Sequence, residues 1–565
     1  MILSDSQISS ILKDNPAKAR LLKAREYSKK LRKHIYGEKL AEQMEGIEQF
    51  ERPSLKQTRT KWSKSNKDVF CRLSRPMDKV FSARGGSVYY NLSEQAEKKA
   101  MLLAQDVDKG LSIRKWVENI WKPHMLDDPN GIILLEIMSR QDAVKARSEG
   151  KSFVYPVYKS TSDIYDYLPK GNKLEYLVLT LSAEDKQKEG FKSDDLVYRV
   201  IDDAFDRYVL VSGENVTNLP SYQLPNYFGE VPAMINSDII DPISENCFLS
   251  LYDEVIELAE HFVLKGSIKL THDFLHGFPK YVEFASDCPS CNGEKYVGGK
   301  PCETCKGSGK KTMTRASDVK LLEFPSGKDA AMILPADVAA YISPDKTYYE
   351  IATNDLQLLE DAMSVTLWGT QSRLKSTGMT ASPGTEPKTA TQIVDEMKPQ
   401  SDRLIPVSEM AEARHKFILD AVVRLQVLPS YSGSSVNYGR RYILESPDSL
   451  LEKYNKARLA GAPQNVLDGL LNEYYESNYQ NDQYSLGIAK KLMYVEPFVH
   501  YTSLQLKALD PDPVDYKMKL YYPEWLSTIN DAQIIGYSVD ELKQQLMAYT
   551  ASKNLPADTK QLPAA

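Results

Sequence analysis

Residues 288 to 309 read CPSCNGEKYVGGKPCETCKGSG and hold four of the six cysteines of the 565-residue chain. Cys288 and Cys291 form one Cys-x-x-Cys pair, and Cys302 and Cys305 form a second pair after ten intervening residues. Each pair makes a tight turn, and the glycine-rich link can fold both turns onto one tetrahedral Zn²⁺. Because four thiolates leave no open coordination position, the pattern predicts one structural zinc ion per chain and no chemistry at the metal.

Two other chemistries also use paired cysteines. Two disulfides would suit a secreted protein, and a single Cys-x-x-Cys pair can form a redox centre. The first residues are charged and lack the apolar core of a targeting segment, and Cys71 and Cys247 have no evident pairing partner. These features favour zinc bound by thiolates in a reducing cytoplasm.

Composition limits the classes of protein that the chain can belong to. A net charge of −6 and a pI near 5.8 argue against a sequence-reading nucleic-acid binder, which usually carries a basic excess. No apolar run reaches the roughly 18 residues of a membrane-spanning helix. Tyrosine is frequent, with 34 Tyr against 15 Phe, which suits the half-buried surfaces of an assembly as well as a simple compositional bias.

Enzyme motifs are missing from the sequence. Gly307-Ser-Gly-Lys-Lys-Thr resembles the end of a phosphate-binding loop, but no glycine stands five residues before Gly309, as that loop requires. Neither His-Glu-x-x-His nor Gly-x-Ser-x-Gly occurs. His261, His272 and His276 are near the cysteines in sequence, but four thiolates already complete a zinc shell. The sequence therefore predicts a protein that is not an enzyme.

The N-terminal region is predicted to be a basic helical segment over residues 1–50, followed by a polar loop over Gln57–Lys67. A solvated helix face is one interpretation of the basic residues, and a nucleic-acid or partner surface is the other. The basic residues of this helix are Lys18, Arg20, Lys23, Arg25, Lys29, Lys30, Arg32 and Lys33.

Strand patterns follow the first helices. Apolar or alternating runs occur at Gly131–Ile137, Phe153–Tyr158 and Leu174–Leu181, with further runs from Val197 and from Tyr208 that could pair with each other. Because no helical pattern separates consecutive runs regularly, they predict an antiparallel or mixed sheet. The sequence therefore favours an α+β fold.

Long helices are predicted on both sides of the cysteines. Asp241 and Pro242 suit the start of a helix with apolar residues at spacings of three and four, and Gly266 suits its end. A second helix is predicted from Asn354 to Trp368. A loop rich in Gly, Ser, Thr and Pro covers residues 376–387, and a long helix continues to Leu428.

This order of elements resembles the portal proteins of tailed bacteriophages. In that family a strand-rich wing closes with a Gly-x-x-Pro-hydrophobic segment, which Gly229-Glu-Val-Pro-Ala-Met-Ile fits. Thr389-Ala-Thr-Gln-Ile-Val-Asp-Glu-Met matches the helix start that follows the channel loop. The resemblance covers the order of elements from Tyr27 to Leu428, and the four cysteines depart from most of the family.

The resemblance implies a portal-like subunit with a strand-rich wing, long stem helices, a small zinc-containing clip, a helix kinked at Pro399 and Pro406, and a helical crown. The predicted parts are the N-terminal segment (1–50), the wing (51–240), the first stem helix (241–270), the clip (271–350) with its zinc module (288–305), the second stem helix with the channel loop (376–387) and kinked helix (351–428), the crown (429–553) and a disordered tail (554–565).

The resemblance also implies a function and partners. Portal subunits form a homo-oligomeric ring, usually of twelve copies, at one capsid vertex of the virion, and they assemble in the bacterial cytoplasm. Double-stranded DNA passes through the channel during packaging, retention and ejection. The implied partners are the terminase large subunit, the head-tail adaptor and the major capsid or scaffolding protein, with no membrane. A DNA-facing role is expected for Arg373, Lys375 and Lys388 at the roots of the channel loop, although an ordinary surface loop is the alternative.

The cysteine segment has a second resemblance. Cys302-Glu-Thr-Cys-Lys-Gly-Ser-Gly is a full Cys-x-x-Cys-x-Gly-x-Gly repeat, similar to the zinc-binding repeats of DnaJ-type co-chaperones. The chain has two repeats and no His-Pro-Asp loop, so the alternative function is a cytoplasmic zinc-containing chaperone-like or nucleic-acid-processing protein. The basic residues Lys306, Lys310 and Lys311 are predicted to dock the packaging motor, or else only to keep an exposed loop soluble.

Overall fold

The computed structural model describes residues 1–13, 16–44, 53–171, 173–192, 194–213, 215–244, 247–276, 280–284, 287–310, 320–322, 339–342, 346–370, 390–442, 447–479, 482–509 and 511–554. The chain forms two compact units. The first contains Met1–Thr385 and Lys398–Tyr442, and the second contains Glu386–Met397 and Ile443–Ala565.

The first unit is mixed α and β. Its helices are α1 (Asp5–Lys13), α2 (Pro16–Tyr36), α3 (Pro53–Trp62), α4 (Lys67–Ser82), α5 (Glu94–Gln105), α6 (Ile113–Trp116), α7 (Lys122–Asp127), α8 (Arg140–Ser148), α9 (Ala183–Lys188), α10 (Ile256–His276), α11 (Lys346–Trp368) and α12 (Ala390–Gln426), with α12 belonging to this unit from Lys398 onward. A π-helical turn (Val117–Trp121) joins α6 to α7, and 3₁₀ turns lie at Glu42–Met44 and Asp253–Val255.

The strands of this unit are β1 (Arg84–Tyr89), β2 (Ile132–Ile137), β3 (Val154–Lys159), β4 (Ile164–Lys170), β5 (Lys173–Thr180), β6 (Leu196–Ile201), β7 (Phe205–Ser212), β8 (Asn215–Pro225), β9 (Ala233–Ile235), β10 (Lys280–Phe284), β11 (Tyr296–Val297), β12 (Lys300–Pro301), β13 (Lys320–Leu322), β14 (Ala339–Ile342) and β15 (Ser435–Arg441).

Eight antiparallel strands form one curled sheet in the order β3-β2-β9-β5-β6-β7-β8, with β4 paired to β5. Successive residues of a strand face opposite sides of the sheet. On β5, Leu177 and Leu179 join a buried cluster that includes Ile132. Val178, between them, joins another cluster together with Ile8 of α1. The sheet is therefore covered on both faces, and the predicted pairing of the strands at Val197 and Tyr208 is confirmed as β6 with β7.

Helices pack around three buried tryptophans in the main core of the first unit. Trp116, Trp121 and Trp368 are each about 1% exposed. The indole of Trp121 donates to the Asn236 carbonyl at 3.0 Å, and the indole of Trp368 donates to the Leu73 carbonyl at 2.8 Å. Because both of these N–H groups have partners, Trp121 and Trp368 are buried without the cost of an unpaired donor.

The helix predicted from Pro242 to Lys265 is wrong at both ends, because α10 begins at Ile256 and continues through Gly266 to His276. Asp241 does cap a turn, since its carboxylate accepts the N–H of Ile243 at 2.9 Å. The following residues are held outside a helix by the buried side chain of Asn130. Its amide donates to the Phe248 carbonyl at 2.8 Å and accepts the Phe248 N–H at 2.9 Å.

Helices α10 and α11 form a two-helix stalk. Lys265 pairs with Asp355 at 2.7 Å, and the His272 ring lies 4.0 Å from the Tyr348 ring. Residue numbers rise along α10 as they fall along α11, so the two helices run antiparallel. Since α10 ends and α11 begins at the same end of the stalk, the residues inserted between them are carried at that end.

The inserted residues contain a small mixed sheet and the cysteine segment. Strand β10 pairs in parallel with β13 and antiparallel with β14, in the order β13-β10-β14. Strands β11 and β12 form a separate two-stranded hairpin within the cysteine segment. The region predicted as a clip thus contains β-structure between two helices.

A two-stranded ribbon joins distant parts of the first unit. Strand β15 pairs with β1, placing Val88 opposite Val436. Gly86 makes this pairing possible, because a Cβ there would lie 2.7 Å from the Tyr438 carbonyl carbon. The region predicted as a mostly helical crown (429–553) thus contains a strand, β15, which lies in the first unit.

The second unit is helical wherever it has regular structure among its described residues. Its helices are α13 (Pro447–Leu459), α14 (Gln464–Asn478), α15 (Gln483–Val495), α16 (Ser503–Ala508), α17 (Pro513–Leu526), α18 (Asp531–Gly536) and α19 (Val539–Ala551). Ser538 starts α19 with a reciprocal capping box to Glu541, which satisfies two N–H groups at the helix start. None of the described helices is both long enough and apolar enough to cross a bilayer.

Near the N-terminus, α1 and α2 confirm the predicted helical character. The loop predicted at Gln57–Lys67 is wrong up to Trp62, where α3 ends. Arg59 explains why this polar stretch is helical, because it is only 2% exposed and donates to Ser267 of α10 at 3.1 Å. The predicted channel loop (376–387) and tail residues 555–565 lie outside the described residues.

Candidate metal centre

The cysteine segment folds as two turns with the same backbone. Each turn begins at a Cys-x-x-Cys pair, and positions one, two and four after the second cysteine have positive φ. The angles are 45°, 88° and 69° at Asn292, Gly293 and Lys295, and 51°, 83° and 76° at Lys306, Gly307 and Gly309. Left-handed backbone favours glycine, which explains the glycine spacing of the repeat. Lys295 occupies the position that Gly309 occupies in the second turn.

Reciprocal hydrogen bonds join the two turns. The N–H of Cys288 donates to the Gly309 carbonyl at 3.0 Å, and the N–H of Cys302 donates to the Lys295 carbonyl at 2.9 Å. The donors are 14 residues apart in sequence and so are the acceptors. The segment is therefore a local pseudo-two-fold repeat whose halves close on each other.

The four sulfur atoms meet between the turns. All four Sγ atoms lie within 4.8 Å of one another, and the Sγ atoms of Cys291 and Cys305 are 3.7 Å apart. A tetrahedral Zn²⁺ with Zn–S bonds of about 2.3 Å places its sulfurs about 3.8 Å apart, whereas a disulfide needs about 2.05 Å. None of the six cysteines, all of which lie among the described residues, forms a disulfide. The site could hold a metal ion, and its geometry is compatible with zinc.

Burial and hydrogen bonds affect how readily the four thiols ionise and therefore how they could bind a cation. The four cysteines are 1–6% exposed and form a small cluster of their own. Burial opposes ionisation of Cys305, but the N–H groups of Gly309 and Gly307 and the neighbouring thiols lower its pKa to about 6. Burial raises the pKa of Cys291 to about 11. A bound dication would ionise the remaining thiols, as metal binding at such sites requires.

The lysines around the cluster balance its charge. Residues 287 to 311 contain five lysines and three carboxylates, for a net charge of +2. Four thiolates with one Zn²⁺ carry −2. The metal-loaded segment would therefore be close to neutral, and the lysines expected to form a basic surface would largely compensate the charge of the site.

The predicted docking lysines differ in their surroundings. Lys310 forms an ion pair with Asp287 at 3.0 Å, a partner that sequence reasoning missed. Lys306 supplies one of the left-handed positions. Lys311, together with the predicted DNA-facing Arg373, Lys375 and Lys388, lies outside the described residues. The sequence feature that could have indicated Asp287 is its position directly before Cys288. In the structure, Asp287 also forms an isolated β-bridge with Lys310 that closes the segment.

Several basic residues of α2 are occupied within the first unit. Arg25 donates to the carbonyls of Thr161 and Ile164 at 3.1 and 2.7 Å. Lys30 pairs with Glu260 at 2.9 Å. These contacts show that part of the predicted basic surface stabilises the fold, which weakens the interpretation of this helix as a nucleic-acid surface.

Comparison with protein-family models matched no family, and comparison with curated proteins found no significantly similar sequence. The function of the chain is therefore inferred from the residues and geometry described above.

Proposed function

We propose that the chain is a portal subunit of a tailed bacteriophage, and that Cys288, Cys291, Cys302 and Cys305 hold one structural Zn²⁺ in its clip. The observation that supports this most is the two-helix stalk of α10 and α11. It lies in the same unit as a curled antiparallel sheet, and it carries a small β-region with the cysteine cluster at one end. A wing, a stem and a clip in this order are what the sequence resemblance implies.

The negative net charge of the chain supports the proposal of a channel through which DNA can pass. A basic wall would bind phosphates and slow the polymer, because each neutralised phosphate adds salt-dependent affinity. The chain carries −6, so a ring of twelve would carry a large negative charge. In this proposal the zinc does no chemistry, because four thiolates fill its coordination shell.

The direct test is the oligomeric state of the purified full chain. Negative-stain electron microscopy should show rings with a central channel, and mass photometry should give a mass near twelve times the 63.9 kDa subunit. A zinc-containing chaperone-like or nucleic-acid-processing protein would give compact particles of one or two chains. A uniform monomer across concentrations and salt conditions would contradict the portal proposal.

The clip would meet the terminase motor and later the head-tail adaptor. Changing Lys306, Lys310 and Lys311 together to Glu leaves all four cysteines in place. If these lysines attract an acidic motor surface, the variant should bind the terminase large subunit more weakly than the wild type, mostly at low salt. If the variant and the wild type bind the terminase large subunit equally at every salt concentration, the lysines are not the docking surface. Their role would then be to compensate the negative charge of the thiolates.

The wider assembly follows from the same proposal. The ring would sit at one capsid vertex, contact the major capsid or scaffolding protein and retain packaged DNA. Deleting Thr380–Thr385 from the predicted channel loop should leave rings intact and reduce packaged DNA. Particles with normal genome content would place Arg373, Lys375 and Lys388 away from the channel.

A further inference from the structure

The second unit contains an open groove that the portal proposal does not use. It has a volume of about 510 Å³ and is lined by α14, α15, the turn after α15, α17 and α19. Its lining residues include three methionines and two aromatic residues, namely Met493, Met518, Met547, Tyr494 and Phe498. Tyr494, Phe498 and Met547 are 54%, 41% and 52% exposed. Large apolar side chains are thus presented to solvent around a concave site.

Phe498 is held in a backbone conformation that bulky residues avoid. Its φ is +46°, and left-handed backbone is unfavourable for a side chain with a Cβ. The ammonium group of Lys519, only 9% exposed, donates to the Phe498 carbonyl at 3.1 Å and to Glu496 at 2.6 Å. The Phe498 carbonyl also accepts the N–H of Tyr501 at 2.9 Å. The fold therefore tolerates local strain at a residue that lines the groove, a pattern that occurs at binding sites.

The groove is set in an acidic surface. Asp468, Glu496 and Asp515 line it together with Lys543. Glu496 is paired with Lys519, and the Oδ1 atom of Asp468 lies 2.8 Å from the Nε2 atom of His500. Residues 443 to 554 contain 15 Asp and Glu against 10 Lys and Arg, so this stretch carries −5 of the net charge of −6. Such a surface repels nucleic acid and anionic membranes and attracts a cationic partner.

We infer that this groove binds a basic amphipathic helix of a partner protein. Flexible methionines adapt to apolar side chains of varied shape, and aromatic residues in a concave site make strong anchors. An amphipathic helix would place its apolar face against Phe498 and Met547 while its lysines or arginines face Asp468 and Asp515. This inference does not depend on the portal proposal.

The test measures binding of a fluorescein-labelled 18-residue peptide to the full chain by fluorescence anisotropy. The peptide contains only leucine and lysine, with leucines on one face of the helix. One matched peptide has serine in place of every leucine, and another has glutamate in place of every lysine. We expect saturable binding of the Leu/Lys peptide and at least tenfold weaker binding of both matched peptides.

Phe498→Asn separates binding from folding. Asparagine tolerates left-handed backbone better than phenylalanine, so the variant should unfold at the same temperature as the wild type or higher. It should nevertheless bind the Leu/Lys peptide at least tenfold more weakly. Leu504→Ser is the control, because Leu504 is 75% exposed in the same unit and does not line the groove. Equal affinity of Phe498→Asn and wild type, equal binding of the serine peptide, or no saturable binding to the wild type would overturn the inference.

Discussion

Gly309 offers a sharp test of how the cysteine segment would hold a metal ion. A Cβ at this position would lie 2.7 Å from the Gly293 carbonyl oxygen of the other turn, and its own φ is +76°. Gly298 has a similar φ of +60° with nothing within 4 Å of its Cβ position. Gly309→Ala therefore adds a steric clash and backbone strain, whereas Gly298→Ala adds strain alone.

The two contributions can be estimated separately. Left-handed backbone costs about 1–2 kcal/mol for a residue with a Cβ, and this cost applies to both variants. Overpacking against a fixed carbonyl costs a further ~1–3 kcal/mol. Because binding of the metal and folding of such a segment are coupled, the extra strain should appear as weaker zinc affinity. At about 1.4 kcal/mol per tenfold, Gly309→Ala should bind zinc roughly 5- to 150-fold more weakly than Gly298→Ala.

The measurement is competition for zinc between the full chain and a chromophoric chelator, at fixed pH and under reducing conditions. Wild type, Gly298→Ala and Gly309→Ala are compared at equal concentrations, with circular dichroism as a check on the rest of the fold. Equal zinc affinity of the two alanine variants would refute the close approach of the turns. Loss of global helicity in Gly309→Ala alone would refute the local nature of the site.

Three further predictions concern the same segment and the main core. Cys302→Ser combined with Cys305→Ser should release the metal and unfold residues 287–310 while thermal unfolding of the remainder persists; metal analysis of the wild type should find one zinc per chain, and less than about half would contradict the assignment. Lys295→Gly should tighten zinc binding up to about fivefold, since it removes left-handed strain of about 1 kcal/mol, and unchanged affinity would show that the lysine stem compensates. Burial, together with the charge of Arg114, lowers the pKa of His415 to about 4, so stability should be full at neutral pH and fall as the pH drops from 6.5 towards 4. The expected loss at pH 5 is about 2 kcal/mol in urea unfolding, and His415→Gln should reduce this dependence.

The sheet strands could be predicted because their pattern is local. Leu177, Val178 and Leu179 lie in a run that is apolar on both faces, and both faces of β5 are buried. The cysteine pairs were equally informative, because the spacing of metal ligands restricts the local backbone geometry more than the helix or strand propensity of the residues does. Four buried thiols within 4.8 Å of one another follow directly from that spacing.

The features that were predicted wrongly or missed have a common physical cause: they depend on contacts between residues that are far apart in the sequence. Asp241 and Pro242 are good helix-start residues, but Asn130, more than 100 residues earlier, takes the backbone groups of Phe248. Strand β15 has a weak local signal, and its partner β1 is far away in sequence. The groove of the second unit was equally invisible, because its methionines and Phe498 come from separate helices and turns.

The ribbon of β1 and β15 has a consequence for synthesis of the chain. Tyr89 pairs with Ser435, so 346 residues must leave the ribosome after β1 before its partner exists. At about 5–20 residues per second, this interval is about 20–70 s. During it, β1 is an unpaired edge, and core residues such as Phe81 lack Tyr438, whose ring lies 5.6 Å away in the finished fold. Nascent chains stalled before β15 should therefore be more sensitive to protease and to aggregation than chains released after Tyr442.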